Sequence, residues 1–349
     1  MKGEIIYSSA PAEALTSLLE RLDADRVFVL TDSNVASLAA RLVPAGEHIV
    51  IAPGEGSKTL EGAVSIWRRL VNAGATRRSV LVNVGGGVVS DLGGFVAATF
   101  KRGMRAVNVA TTLLAAADAA IGGKTGIDFE GLKNEIGVFA MPEAVVISEE
   151  FLQTLPEAEL LSGFGEVVKM ALLTDAGLYG ALLNGDALAD ASLMGRAMRN
   201  AAEAKARIVR LDPREQGLRR ILNLGHTVGH ALEMVTAAGE YPLSHGAAVA
   251  HGILAALILS ERYAGLDPSV RDDYKTKILD RYYQALSLTA EECARVIALM
   301  AHDKKNRRAG EISFVLIEAP GEPVQEYSLP SDPAQLLPFL TSIYCPCNY

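Results

Sequence analysis

Through its first half this 349-residue chain alternates short β-branched runs with stretches of helical periodicity. That alternation constrains the fold more than any other feature. Residues 26–30, 48–51, 79–84, 106–109 and 144–147 read as buried strands. Between them, 35–42, about 58–72 and 88–100 carry apolar residues at helical spacing, with Ser57 the expected cap of the second helix and Thr111-Thr112 opening another. Strands separated by helices are joined by crossovers, so a parallel sheet covered by helices is expected. The second half reads as helices at 156–173, 187–209, 221–235, 246–263 and 272–286, with one isolated strand at 312–316. A chain this long suggests two domains, and the change of pattern divides them as 1–150 and 151–349.

Charge narrows the function. Lys and Arg total 33 against 41 Asp and Glu, a formal charge of -8. An acidic chain of this kind is not built to bind nucleic acid, and an anionic ligand must be met by a local cluster of cations. There are three cysteines, Cys293, Cys345 and Cys347, a sparse usage that fits a reducing compartment. Cys345-Pro346-Cys347 can bind metal or oxidise, but its place at the very end points to a frayed terminus. The first five residues hold no apolar signal region, and no apolar run is long enough to span a bilayer. The expectation is a cytoplasmic enzyme or binding protein that does not engage a membrane.

Three of the six histidines fall within twenty residues. His226 and His230 are four apart and share a helix face, and His245 opens a second helical run. Imidazoles from two helices, joined by one carboxylate, suit a divalent metal such as zinc. The best carboxylate is Glu166, an acid inside an otherwise apolar helical stretch, where burial is costly unless it is paired. The plainer alternative is a core histidine with a solvated pair at helix ends. Gly85-Gly86-Gly87 lies between a strand and a helix, where backbone N–H groups can approach a phosphate. It is also compatible with a simple tight turn. Asp32, at a strand end, suits either a ribose or a helix cap. Residues 102–134 are dense in polar groups, among them Thr111, Thr112, Asp118, Lys124, Lys133 and Asn134, with Lys124 directly after two glycines.

Several of these pieces follow one another in a recognisable order. They include Gly85-Gly86-Gly87-Val88-Val89-Ser90-Asp91, Thr111-Thr112-Leu113-Leu114, Gly122-Gly123-Lys124-Thr125, Lys133-Asn134, Gly165-Glu166-Val167-Val168-Lys169, Asn223-Leu224-Gly225-His226-Thr227-Val228-Gly229-His230 and Asp303-Lys304-Lys305-Asn306. Over nearly its whole length the chain resembles the 3-dehydroquinate synthase family. The resemblance implies an α/β N-terminal Rossmann-like domain, a mostly α-helical C-terminal domain, bound NAD, a zinc or cobalt ion, and a homodimer. It implies Glu166, His226 and His245 as metal ligands. It gives Asp32, Glu55, Lys58, Gly86, Gly87, Asp91, Thr111, Thr112, Lys124, Lys133, Phe151, Thr154 and Leu155 to NAD. It gives Asp118, Lys124, Asn134, Lys169, Lys205, Arg219, Asn223, His230 and one of Lys304 and Lys305 to a sugar-phosphate substrate. Arg102 resembles an arginine lent by the partner subunit.

The implied reaction converts 3-deoxy-D-arabino-heptulosonate 7-phosphate to 3-dehydroquinate. It runs through transient oxidation by NAD, loss of phosphate, re-reduction and intramolecular aldol closure. Lys169, one turn beyond Glu166, is expected to approach the substrate rather than pair with Glu166. Ala247 stands where an acid is common, which removes one possible partner of His245. The alternatives are another sugar-phosphate cyclase of the same superfamily, an iron-type polyol dehydrogenase, or a non-catalytic metal- or nucleotide-binding protein.

Overall fold

The computed structural model describes residues 3–237, 239, 241–303 and 306–345. The chain forms two compact units. One runs to Leu160 and takes in Lys205–Arg207, and the other comprises Leu161–Ala204 and the chain from Ile208 onward.

The first unit is built as β1 (Glu4–Tyr7), α1 (Pro11–Arg21), β2 (Val27–Asp32), α2 (Ala36–Leu42), β3 (Glu47–Ile51), α3 (Leu60–Asn72), β4 (Val80–Gly85), α4 (Gly87–Thr99), β5 (Arg105–Ala110), β6 (Lys124–Phe129), β7 (Leu132–Phe139) and β8 (Ala144–Ile147). Six strands make a parallel sheet in the order β1-β8-β5-β4-β2-β3. Alternation along β4 explains its place at the centre. Val80, Val82 and Val84 pack with Leu15, Leu18 and Leu42 of α1 and α2. Leu81 belongs to a second cluster with Ile66, Leu70, Leu92 and Phe95 of α3 and α4. Each such side chain, fully buried, is worth roughly 1.5–3 kcal/mol.

One expectation is corrected here, and two segments gain definition. The cap of α3 is Thr59, whose Oγ1 accepts the Gly62 N–H at 3.1 Å, while Ser57 donates to the Ala52 carbonyl. Thr112 does open a helix, its Oγ1 accepting the Ala115 N–H at 3.1 Å, but the helix is short and ends as a wide turn over Ala115–Ala119. The glycine- and lysine-rich junction takes on regular structure. It is an antiparallel ribbon, with Lys124 of β6 opposite Phe139 of β7.

The second unit is mostly helical. It holds α5 (Glu157–Thr174, from Leu161 onward), α6 (Ala176–Asn184), α7 (Ala191–Leu211), α8 (His226–Thr236), α9 (His245–Tyr263), α10 (Pro268–Tyr274), α11 (Asp280–Tyr282), α12 (Ala290–Ala301), β9 (Glu311–Ala319), β10 (Glu322–Pro330) and α13 (Pro333–Tyr344). The strand expected to be isolated pairs with β10 in an antiparallel hairpin. The helix expected over 221–235 starts only at His226, because Gly225 takes a left-handed conformation with φ 77°. The core of this unit joins Val228, Leu232 and Val235 of α8 to Val296 and Met300 of α12, Phe314 of β9 and Leu340 of α13. Cys345 is not simply frayed. Its Sγ donates to the Leu288 carbonyl at 2.8 Å and lies 3.7 Å from Cys293 Sγ.

Candidate active site

In the second unit, α5, α8 and α9 come unusually close. A Cβ on Gly165 would stand 2.4 Å from the Gly246 carbonyl oxygen, and one on Gly252 would stand 2.0 Å from that of Gly225. Only glycine permits such approach. The consequence is convergence of Glu166 from α5, His226 from the start of α8 and His245 from the start of α9. One ligand atom from each lies within 4.8 Å of the others. Nε2 of His226 and Nε2 of His245 are each 3.2 Å from the same Glu166 oxygen, Oε1.

The outer nitrogens of both rings are also engaged. His226 Nδ1 lies 3.2 Å from the Leu224 carbonyl oxygen, and His245 Nδ1 lies 3.3 Å from Glu233 Oε2. Two imidazoles and a carboxylate, buried or half-buried with their inner atoms converging, are a donor set that fits a divalent ion of the zinc type. His230 completes the cluster, its ring centroid 5.1 Å from that of His226 and 5.8 Å from that of His245.

Charge binds the cluster together. Burial works to raise the Glu166 carboxyl, but Lys169, His226 and His245 outweigh it and hold the group well below the usual carboxylate range. Burial also opposes a charge on His245, yet hydrogen bonds to Glu166 and Glu233 push it up to about 9. Lys169 is buried and ion-pairs with Glu166 Oε2. The expectation that it bypasses Glu166 is therefore not what the structure presents.

Nearby in sequence, a loop prepares two more polar groups. Asp212 accepts the N–H groups of Gln216, Gly217 and Arg219, which holds its carboxyl low despite partial desolvation. Arg219 is 1% exposed and donates to the Pro213 carbonyl at 2.9 Å. Asn223 donates to Glu215 Oε1 at 3.0 Å, and Glu215 itself has φ 57°.

In the first unit, the residues singled out gather at the carboxyl edge of the parallel sheet, where open α/β sheets bind ligands. Asp32 ends β2 and accepts the Asn34 N–H at 2.8 Å. Gly86 is the N-cap of α4, and its missing Cβ would lie 3.1 Å from Thr112 Cγ2. A Cβ on Gly87 would meet Ala119 at 3.3 Å. Thr111 follows β5, and its N–H donates to the Gly85 carbonyl at 3.0 Å. Phe151, Thr154 and Leu155 lie in and after the turn that follows β8. The Phe151 ring is buried in the core rather than presented to a ligand.

Lys58, after the short turn carrying Glu55, is 3% exposed. It donates to Asp91 at 2.7 Å and to Asn134 Oδ1. Burial alone would lower its pKa, but Asp91 and Glu55 outweigh that and raise it. Lys205 pairs with Asp118 at 2.6 Å and donates to the Asp118 carbonyl at 2.8 Å. Lys124 lines a cavity of about 520 Å³ with Ser90, Asn108, Thr125 and Glu143. Lys133 is exposed on β7. Arg102 is exposed as well, on a turn where Lys101 and Arg102 have φ 51° and 66°. Lys304 and Lys305 lie outside the described residues.

Two groups escaped the sequence reading. Glu233 sits seven residues after His226 and three after His230, so the helical period that linked the histidines also pointed to it. Glu215 left no such signal, because its contact to Asn223 depends on a left-handed loop residue.

Comparison with known proteins bears on the family and the fold. Residues 48–162 match the family described as 3-dehydroquinate synthase N-terminal, and residues 163–306 match its C-terminal counterpart. A 3-dehydroquinate synthase of Parabacteroides distasonis is 40% identical over 88% of this chain and 89% of its own. One from Thermococcus kodakarensis is 41% identical over 91% and 90%. Among solved structures, a 2-epi-5-epi-valiolone synthase from Streptomyces hygroscopicus with NAD+ and Zn2+ bound superposes with a TM-score of 0.82. It shares 24% identity and covers 98% of this chain and 97% of that one, a likeness of fold.

Proposed function

The chain belongs to the 3-dehydroquinate synthase family, and from that premise we propose that it converts 3-deoxy-D-arabino-heptulosonate 7-phosphate to 3-dehydroquinate and phosphate. The observation that carries the proposal is the convergence of Glu166, His226 and His245 in a chain about 40% identical, over nine-tenths of its length, to synthases of that name. The parts are assigned as follows. NAD is assigned to Asp32, Glu55, Lys58, Gly86, Gly87, Asp91, Thr111, Thr112, Lys124 and Lys133 within residues 1–150, with Thr154 and Leu155 just beyond them, while Phe151, buried in the core, supports the fold instead. Residues 151–349 hold the metal on Glu166, His226 and His245, and carry substrate groups.

NAD, bound by the first-unit residues named above, would supply a reversible hydride acceptor for a substrate alcohol. A divalent ion held by Glu166, His226 and His245 would supply Lewis-acid polarisation of substrate hydroxyls. The chain's own side chains do the rest. Arg219 and Lys205 meet substrate anions, with Arg219 able to grip a carboxylate or phosphate in two places. Asn223, Asn134, Asp118 and Lys124 orient hydroxyls. His230, beside both metal-facing rings, moves the proton of the oxidised hydroxyl. Lys169 neutralises Glu166, and we assign it a substrate anion as a second partner. We assign the working form as a cytoplasmic homodimer in which Arg102 serves the partner's phosphate site. The left-handed turn that presents Arg102 supports this, as does the apolar exposure of β7, where Leu132 and Phe139 are 50% and 54% exposed. Among the described residues no helix is long and apolar enough to cross a membrane.

The test is inorganic phosphate released from the heptulosonate phosphate, with NAD and Zn2+ added and A340 followed in the same cuvette. Phosphate without lasting A340 gain, abolished by chelator and restored by Zn2+ or Co2+, is the expected result. Lasting NADH accumulation would instead mark a dehydrogenase, and no phosphate from metal-loaded protein would sink the assignment.

A further inference from the structure

His226 and His245 face Glu166 in the same way but are held from behind differently. Each has Nε2 3.2 Å from Glu166 Oε1. Behind His226, the acceptor at Nδ1 is the Leu224 carbonyl, two residues away on its own chain segment. Behind His245, the acceptor is the carboxylate of Glu233, which reaches across from α8 at 3.3 Å. The opening turn of α9 contains no acidic residue of its own, and position 247 is alanine. Any carboxylate for His245 must come from another element.

We propose that Glu233 is a positioning residue for the metal centre, accepting the Nδ1–H of His245 so that Nε2 carries the lone pair aimed beside Glu166. An imidazole has two tautomers, and a hydrogen bond at one nitrogen decides which nitrogen is free to ligate. The Glu233 contact also limits rotation of a ring that is only half-buried, whereas the His226 ring is buried. Glu233 thus supplies from α8 what α9 lacks. This rests on the metal reading above.

The test measures Zn2+ affinity of the full-length protein by competition with a chromophoric chelator, for wild type, Glu233→Ala and Glu233→Gln. Outer-shell partners of this kind are worth roughly 10- to 100-fold in metal affinity, so Glu233→Ala is expected to bind that much more weakly. Glu233→Gln keeps an acceptor oxygen and should recover part or all of the loss. Near-UV circular dichroism of the metal-free forms should match, which separates positioning from folding. A Glu233→Ala affinity within about twofold of wild type would overturn the inference, and so would a Glu233→Gln no better than alanine. If Glu233→Ala does not fold, Glu233→Asp decides: its shortened side chain withdraws the carboxylate, weaker binding sustains the role, and unchanged binding overturns it. Wild-type protein that binds no Zn2+ at all would remove the metal reading and this inference with it. Binding that ignores Glu233 would remove only the inference.

Discussion

Gly246 and Ser162 meet so closely that a methyl group on Gly246 would lie 1.8 Å from the Ser162 carbonyl oxygen. The obstacle is backbone, so neither helix can yield by changing a rotamer. Gly246→Ala is therefore expected to force α5 and α9 apart and to destabilise the fold by about 3 kcal/mol or more, the upper range for overpacking. Urea unfolding reads the loss. Because Glu166 and His245 ride on those helices, Zn2+ affinity should fall too. An alanine variant with unchanged midpoint and affinity would refute the close-approach argument.

Lys205 and Asp118 form a pair that is largely removed from water, with side chains 9% and 21% exposed. Removing one partner of such a pair strands the other. Lys205→Met should cost about 3 kcal/mol, and adding Asp118→Asn should restore most of it. Phosphate release should stay lost in both, since both groups are assigned to substrate. Recovery of activity along with stability would show that the pair is structural only.

His251 is buried on α9, its Nε2 3.1 Å from the Gln284 carbonyl, with Tyr344 against its ring and Asp280 nearby. Burial lowers its pKa to about 4, against an ordinary 6.5, although Gln284 and Asp280 pull the other way. The unfolded chain thus takes up this proton first as pH falls. Its contribution is intact above pH 6.5 and is lost progressively as pH drops toward 4, by about 3 kcal/mol in all. Urea midpoints at pH 7 and pH 5 should differ accordingly, and His251→Gln should flatten that slope. An equally steep slope in the variant would assign the effect to other groups.

If Arg102 acts on the partner's site, two inactive variants should complement each other. Mixtures of Arg102→Ala and Glu166→Gln, refolded together, should recover about one quarter of wild-type phosphate release, the statistical share of one intact site per mixed dimer. Sedimentation should give a dimer. No recovery from dimers that have exchanged would place Arg102 in its own subunit's site.

Much of the first unit was legible because central parallel strands are buried on both faces and read as continuous β-branched runs. The runs at 79–84 and 144–147 lose nearly all exposure in the fold. β1 escaped because an edge strand of four residues, one exposed and three half-buried, leaves little pattern. β7 escaped for the opposite reason: every residue is exposed, so no alternation marks it. β9 was found but not its hairpin partner, since β10 carries Pro323 near its start and its pairing is broken by register shifts. In the site, His226 and His230 were tied by helical spacing, and Glu166 stood out as an acid among apolar neighbours. The pairing of Lys169 with Glu166 was discounted, because which way a long side chain turns depends on the packing of α5 and not on its spacing.

Glu166, His226, His245 and Glu233 all belong to the same unit. A bound ion is then a thermodynamic ligand of one half of the molecule. It adds RT ln(1 + [L]/Kd) to the stability of that half alone, about 4 kcal/mol at a thousandfold excess over Kd. Metal loading should thus pull a single unfolding transition into two, with the nucleotide-type half melting first.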